Sequence, residues 1–136
     1  MRIMAFDIGD KRIGVAVSDP LGITAQGLET YTRTGDAERD ADYLLSLARK
    51  YPGPVKLLFG MPRNMDGSYG FQSEKVREFA EIMLSKWDGE HDFQDERLST
   101  VAAERVLNEA ELDWRERRKV VDKVAAVMIL QSYLGN

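Results

Sequence analysis

Every position from Ile3 to Ile8 is apolar except Asp7, and the run closes on Gly9-Asp10. A run this continuous has the pattern of a strand covered by protein on both faces, because a strand with one face in water alternates polar and apolar residues. Such a strand belongs in the middle of a sheet. The next residues indicate how that sheet starts. Ile13 to Ser18 follows after a few polar residues, a gap suited to a hairpin. Asp19-Pro20-Leu21-Gly22 is turn chemistry, and a third short strand is expected at Ile23 to Leu28. The chain therefore opens as an antiparallel meander.

Helical periodicity takes over at Asp36, a candidate cap for a helix with apolar positions Ala37, Ala41, Leu44, Leu45 and Ala48, stopped by Pro52-Gly53-Pro54. Val55 to Phe59 reads as a buried strand closed by Gly60, and Met61 to Gly70 reads as a loop. Val76, Phe79, Ala80, Met83, Leu84 and Trp87 form an amphipathic stripe, and His91 to Gln94 is a candidate short strand. Ser99 is placed to cap a helix through Ala110, and Lys119 to Leu134 forms a last helix ended by Gly135. Strands separated by helices pair in parallel, so the expected fold class is α/β: a five-stranded mixed sheet, with a three-strand meander followed by parallel strands, flanked by helices as one domain over residues 1–136. Right-handed crossovers would bring the loops after Gly9, Gly60 and Gln94 to one end of the sheet, where sites in such folds are built.

Composition narrows the chemistry. The 19 basic and 23 acidic residues give a net charge of −4, so any nucleic-acid surface has to be local. With no Cys there is no disulfide, thiolate metal site or thiol nucleophile. No apolar run approaches the roughly 20 residues that cross a bilayer, and the start lacks a secretory segment, so the expectation is a cytoplasmic protein without membrane contact.

Three carboxylates stand in unusual places. Asp7 interrupts an apolar strand, where an ionised group is costly unless it is hydrogen-bonded, paired or bound to a metal. Asp122 heads a row on the last helix that continues through Ala125, Ala126, Ile129 and Tyr133, the side that should pack inward, although an acid in the first turns also suits the helix dipole. Asp95-Glu96 stands at a strand end, where either acid could reach the same end of the sheet. Carboxylates from separate elements, with one His and no Cys, suit hard divalent cations, Mg²⁺ or Mn²⁺, rather than zinc. Two such ions roughly 4 Å apart activate water and stabilise a leaving oxygen in phosphodiester hydrolysis. Without metal the acids would repel one another.

Candidate nucleic-acid contacts are Lys11 and Arg12 in the hairpin turn, Arg63 and Asn64 in the loop after the fourth strand, Arg97 beside the acids, and Arg117, Arg118 and Lys119 at the start of the last helix. From Arg115 to Lys123 there are five basic residues against two acidic ones, a local excess in an acidic chain. Each of these also suits a plain solvated surface. His91 has no partner motif and reads as structural.

Taken together, Phe6-Asp7-Ile8-Gly9 with Arg12 to Asp19, Gly60-Met61-Pro62 with Asn64 to Ser68, Asp95 to Thr100, and Lys119 to Lys123 running into Ile129-Leu130-Gln131 resemble the YqgF family, also called RuvX, of the RuvC-like, RNase H-like nucleases. The matches span nearly the whole chain in the family's order. The resemblance implies an RNase H-like fold and a divalent-metal nuclease, with Asp7, Glu96 and Asp122 at the family's acidic positions as metal ligands and catalytic residues. It also implies trimming of the 5′ end of precursor 16S ribosomal RNA, beside an older proposal of Holliday-junction resolution. The expected partner is nucleic acid, pre-rRNA first and branched or single-stranded DNA second, bound by a monomer or homodimer. A resolvase making two symmetric cuts needs two sites, and so a dimer. A binding module with a vestigial site would cleave nothing. A phosphotransferase that clamps a nucleotide would need a second lobe, which one small domain does not provide.

Overall fold

In a computed structural model, which describes residues 1–62, 70–95 and 114–135, with the backbone alone at 71 and 114–121, five strands and three helices are placed. They are β1 Arg2–Ile8, β2 Arg12–Ser18, β3 Ala25–Thr32, α1 Ala37–Arg49, β4 Val55–Met61, α2 Phe71–Leu84, β5 His91–Asp95 and α3 Trp114–Leu134. The sheet order is β3-β2-β1-β4-β5: β1, β2 and β3 pair antiparallel, whereas β1, β4 and β5 are parallel. The expected meander and parallel half are both present, and β1 lies at the centre.

A larger core forms where Met4, Phe6 and Ile8 of β1 and Leu57 and Phe59 of β4 meet Leu44 and Leu45 of α1 and Val76, Phe79 and Met83 of α2. On the opposite face, Ile3, Ala5, Ala16 and Leu58 pack against Ala126, Ile129 and Leu130 of α3. Thus the apolar continuity of β1 does reflect cover on both sides.

Several boundaries differ from the expected ones, for local reasons. The third strand begins at Ala25 rather than Ile23 and runs to Thr32. The Asp19 carboxylate accepts hydrogen bonds from the backbone N–H groups of Ile23 (2.7 Å) and Thr24 (2.8 Å), holding both in the turn, while pairing with Arg12 carries the strand on to Thr32. Those bonds hold the Asp19 carboxyl below the usual carboxylate range, the one from Thr24 contributing most. Gly60 does not end β4, because β5 continues the ladder through Gly60↔Gln94 and Met61↔Asp95. The second helix stops at Leu84, so Trp87 caps the core from the turn beyond it. The last helix starts at Trp114, five residues before the expected start, and ends as foreseen at Gly135, whose φ is +87°. The α1 cap is as expected: the Asp36 side chain accepts from the N–H groups of Glu38 and Arg39. The expected helix from Ser99 to Ala110 and most of the loop after β4 lie outside the described residues.

One buried acid escaped the sequence reading. Asp40 of α1 is fully buried and accepts from the Tyr31 hydroxyl at 2.7 Å, the Thr34 N–H at 3.0 Å and the Thr34 hydroxyl at 2.9 Å. Its second oxygen lies 3.6 Å from Arg33 Nε and has no hydrogen bond among the described residues. Burial pushes the Asp40 carboxyl up, but the three hydrogen bonds and Arg33 together hold it below its ordinary value. Tyr31 is pushed up to about 12, first by desolvation and then by its bond to Asp40. The signs give a pH prediction. The Tyr31 contribution is complete below its unfolded value of 10.0 and is lost as pH rises through about 12. The Asp40 contribution is present above 3.8 and is lost as pH falls through the lower folded value. Urea midpoints measured across pH should therefore fall at both ends, and Tyr31→Phe should remove the Tyr31 part of the alkaline fall.

Candidate active site

β1 assigns its side chains alternately to the two faces. Ile3 and Ala5 enter the α3 core, Met4, Phe6 and Ile8 the other. Asp7 continues the first series, so this partly buried carboxylate stands on the α3 face, at the end of the sheet where all three parallel strands finish.

Small residues bring α3 down onto that face. Ala5, Ala16 and Gly27 are successive partners across β1, β2 and β3, and Asp7 pairs with Gly14 one step further along. A Cβ built on Gly14 would fall on the backbone carbonyl of Asp122, so here the helix backbone rests directly on the strand. On β3, Gly27 leaves room for the aliphatic stem of Lys123, whose Cγ would lie 2.7 Å from an added Cβ. From the helix side Ala125 and Ala126 complete the close approach, both fully buried. Asp122 is thereby delivered next to the strand partner of Asp7, although 115 positions separate the two acids in the chain. The row that Asp122 heads packs inward as expected: Ala125, Ala126 and Ile129 are buried, and Tyr133 packs partly buried on the same cluster.

Arg12 faces the same way, because β2 sends Ile13, Val15 and Val17 into the opposite core. Its Nε donates to Asp122 Oδ2 at 2.7 Å, with about a quarter of each side chain or less in contact with solvent (26% and 20%). The turn before it is tight: Gly9 N–H donates to the Arg12 carbonyl at 2.9 Å, and a Cβ on Gly9 would lie 2.7 Å from that oxygen. Lys11, by contrast, lines a surface cavity of about 700 Å³ on the α1–α2 side of the sheet with Arg33, Lys75 and Glu78. Of the two turn residues, Arg12 is the one bonded to Asp122 among the described residues.

β5 is two strands from β1, about 9–10 Å away. Asp92 and Gln94 face α3: Tyr133 OH donates to Asp92 Oδ2 at 2.8 Å, and Gln94 Nε2 donates to Ser132 Oγ at 3.1 Å. The bond from Tyr133 is the main reason the Asp92 carboxyl sits below its ordinary value, so this acid anchors the far end of α3. Phe93 instead packs on Phe59, with ring centroids 5.5 Å apart, and Asp95 pairs with Met61 of the larger core. Asp95 therefore belongs to the face away from Asp7 and Asp122. Of the two adjacent acids at this strand end, the parity of β5 argues against Asp95. Glu96, Arg97, Arg63 and Asn64 lie outside the described residues, and Arg117, Arg118 and Lys119 fall in the first half of α3.

Among the described residues no group of three or more acids or His converges into a metal-binding cluster. Asp7 and Asp122, placed on either side of Gly14, offer oxygen donors only. The one His, His91, is exposed at the opposite end of β5, with its ring edge on Phe93. Carboxylate oxygens without N or S donors fit Mg²⁺ or Mn²⁺. No helix among the described residues is long and apolar enough to cross a membrane.

The whole chain has close relatives. It is 54% identical over 134 residues to a protein of Moorella thermoacetica, covering 98% of this chain and 94% of that one. It is 51% identical over 136 residues to one of Desulforamulus reducens, covering 100% and 98%. Both carry the name "Putative pre-16S rRNA nuclease". Among solved structures, the Fowlpox virus resolvase bound to Holliday junction DNA superposes with a TM-score of 0.58 at 18% identity, over 99% of this chain and 97% of that one. Thermus thermophilus RuvC bound to a Holliday junction substrate superposes with a TM-score of 0.52 at 13% identity, over 99% and 96%. These likenesses establish the RNase H-like fold expected from the sequence. The family model described as "RuvX: Holliday junction resolvase" matches residues 1–136, and with relatives at about half identity across the same span the chain belongs to the RuvX family of nucleases.

Proposed function

We propose that this chain hydrolyses phosphodiester bonds with divalent cations held by Asp7, Asp122 and Glu96, and that its substrate is precursor 16S ribosomal RNA, trimmed at the 5′ end. The observation that carries the reading is the placement of Asp7 and Asp122 on one sheet face, with helix backbone against Gly14. Glu96 is the third acid of this proposal because Asp95 belongs to the other face. Mg²⁺ or Mn²⁺, when bound, supplies an acidified water and charge neutralisation at the leaving oxygen. The protein's part is to fix the carboxylates on a strand end and a helix, both anchored by packing, so that the acids hold their places between turnovers. RNA is favoured as substrate because relatives at about half identity carry the rRNA name, whereas the junction-bound neighbours are below 20% identical.

Incubation with matched pre-rRNA, single-stranded DNA and a four-way junction in Mg²⁺ or Mn²⁺, each with and without EDTA, tests it. Cleavage of the RNA near the mature 5′ end, abolished by EDTA, is expected. Preferred, paired cutting of the junction by a dimer would replace this reading with resolution, and an inert protein would leave a binding module.

The basic start of α3 is assigned to the substrate backbone. Changing Arg117, Arg118 and Lys119 together to Gln should weaken binding to all sequences alike. It should also lower the slope of log K against log salt by up to about 0.7 per lost contact on a single strand. An unchanged slope would remove these three residues from the interface.

A further inference from the structure

We infer that Arg12 is the site's internal counter-ion: it holds Asp122 while no cation is present, competes with the divalent cation for that carboxylate, and is freed for a substrate phosphate when the cation binds. The inference rests on the metal-nuclease reading above and adds to it a residue whose charge sets cation affinity. Three features of the structure support it. Arg12 takes a carboxylate oxygen of Asp122 at 2.7 Å, the distance of a strong charge-assisted bond, using one of the five N–H groups of the guanidinium. The pair is largely shielded from water, so the attraction is screened less than on an open surface. Finally, the arginine cannot drift from the site, because its backbone is fixed by the Gly9 turn and by pairing with Thr32.

A divalent ion and a guanidinium sharing one carboxylate repel each other, so the two states exclude one another in part. An arginine released next to a bound cation faces the place where phosphate oxygens arrive, and its planar fork suits them. The internal ion pair therefore lowers the affinity for the cation and spares the empty site the repulsion of adjacent carboxylates.

Mn²⁺ binding to the full chain, followed by calorimetry without nucleic acid, tests this against a merely structural arginine. Arg12→Gln should bind Mn²⁺ about tenfold tighter than the parent, while Arg12→Lys, which keeps the charge, should stay within about twofold. The unaltered protein gives a second readout that does not depend on a variant folding. The Arg12 Nε–H resonance should be protected from exchange in the metal-free protein and lose that protection on addition of Mg²⁺. If the parent binds Mn²⁺ but Arg12→Gln binds it equally or more weakly, and the Nε–H signal ignores Mg²⁺, the counter-ion role is overturned while the nuclease reading stands. A parent that binds neither ion overturns both.

Discussion

Asp7→Asn should abolish metal-dependent cleavage, with kcat/KM falling by about 10²–10³ or more, the scale on which removal of one electrostatic contact to the reacting centre is felt. The substitution keeps the shape of the side chain and its place at the end of β1 on the α3 face, but it replaces an anionic oxygen with an amide that binds hard cations far less well. The fold should be spared. Asp7 pairs with Gly14, the glycine on which the Asp122 backbone rests, and an asparagine of the same size fits that place. Thermal denaturation in EDTA should place the variant within a few degrees of the parent, whereas the stabilisation by Mg²⁺ expected of the parent should be absent from the variant. Cleavage at the parental rate in a preparation free of other nucleases would remove Asp7 from the metal site.

Among the described glycines, Gly14→Ala should have the largest structural effect. The added carbon meets the Asp122 carbonyl, which is helix backbone and cannot turn away as a side chain can. Either α3 lifts from the sheet or β2 bends. Overpacking in a well-filled interior typically costs about 1–3 kcal/mol, and a backbone obstruction belongs at or above the top of that range. Moving α3 also opens the seam between Ala5, Ala16 and Ala126, all of which are fully buried. The expected result is a lower urea midpoint together with loss of the Arg12–Asp122 pair and weakened Mn²⁺ binding. Unchanged stability and metal affinity would mean that helix and strand are not in contact at this point. Gly27→Ala is the matched control. There the added carbon meets only the flexible stem of Lys123, so the cost should be much smaller.

Much of this architecture is legible in the sequence because it is local. The continuity of Ile3 to Ile8 specifies a central strand, Asp36 specifies a cap, and the row Asp122, Ala125, Ala126, Ile129 specifies the buried side of α3. What the sequence hides depends on contacts between distant parts. The start of β3 depends on which amides the Asp19 carboxylate captures, and the passage of β4 through Gly60 depends on pairing with β5. Asp40 lies on the same helical stripe as Leu44, and that spacing was the available clue to its burial. Among so many charged neighbours on α1 it reads as solvated until Tyr31 and Thr34 are seen against it. The choice between Asp95 and Glu96 is out of reach for periodicity alone in a five-residue strand. What Tyr133 and Ser132 settle, by gripping Asp92 and Gln94, is that Asp95 belongs to the opposite face. The pairing of Arg12 with Asp122 crosses 110 positions and has no local signature at all.

That long span has a consequence for the protein during its own synthesis. β1 and the hairpin that carries Gly14 and Arg12 leave the ribosome early, but α3 must still be translated before Asp122 can settle on them. On the proposed site, a nascent chain would hold Asp7 and Arg12 without Asp122, and cleavage would begin only once the last helix has docked.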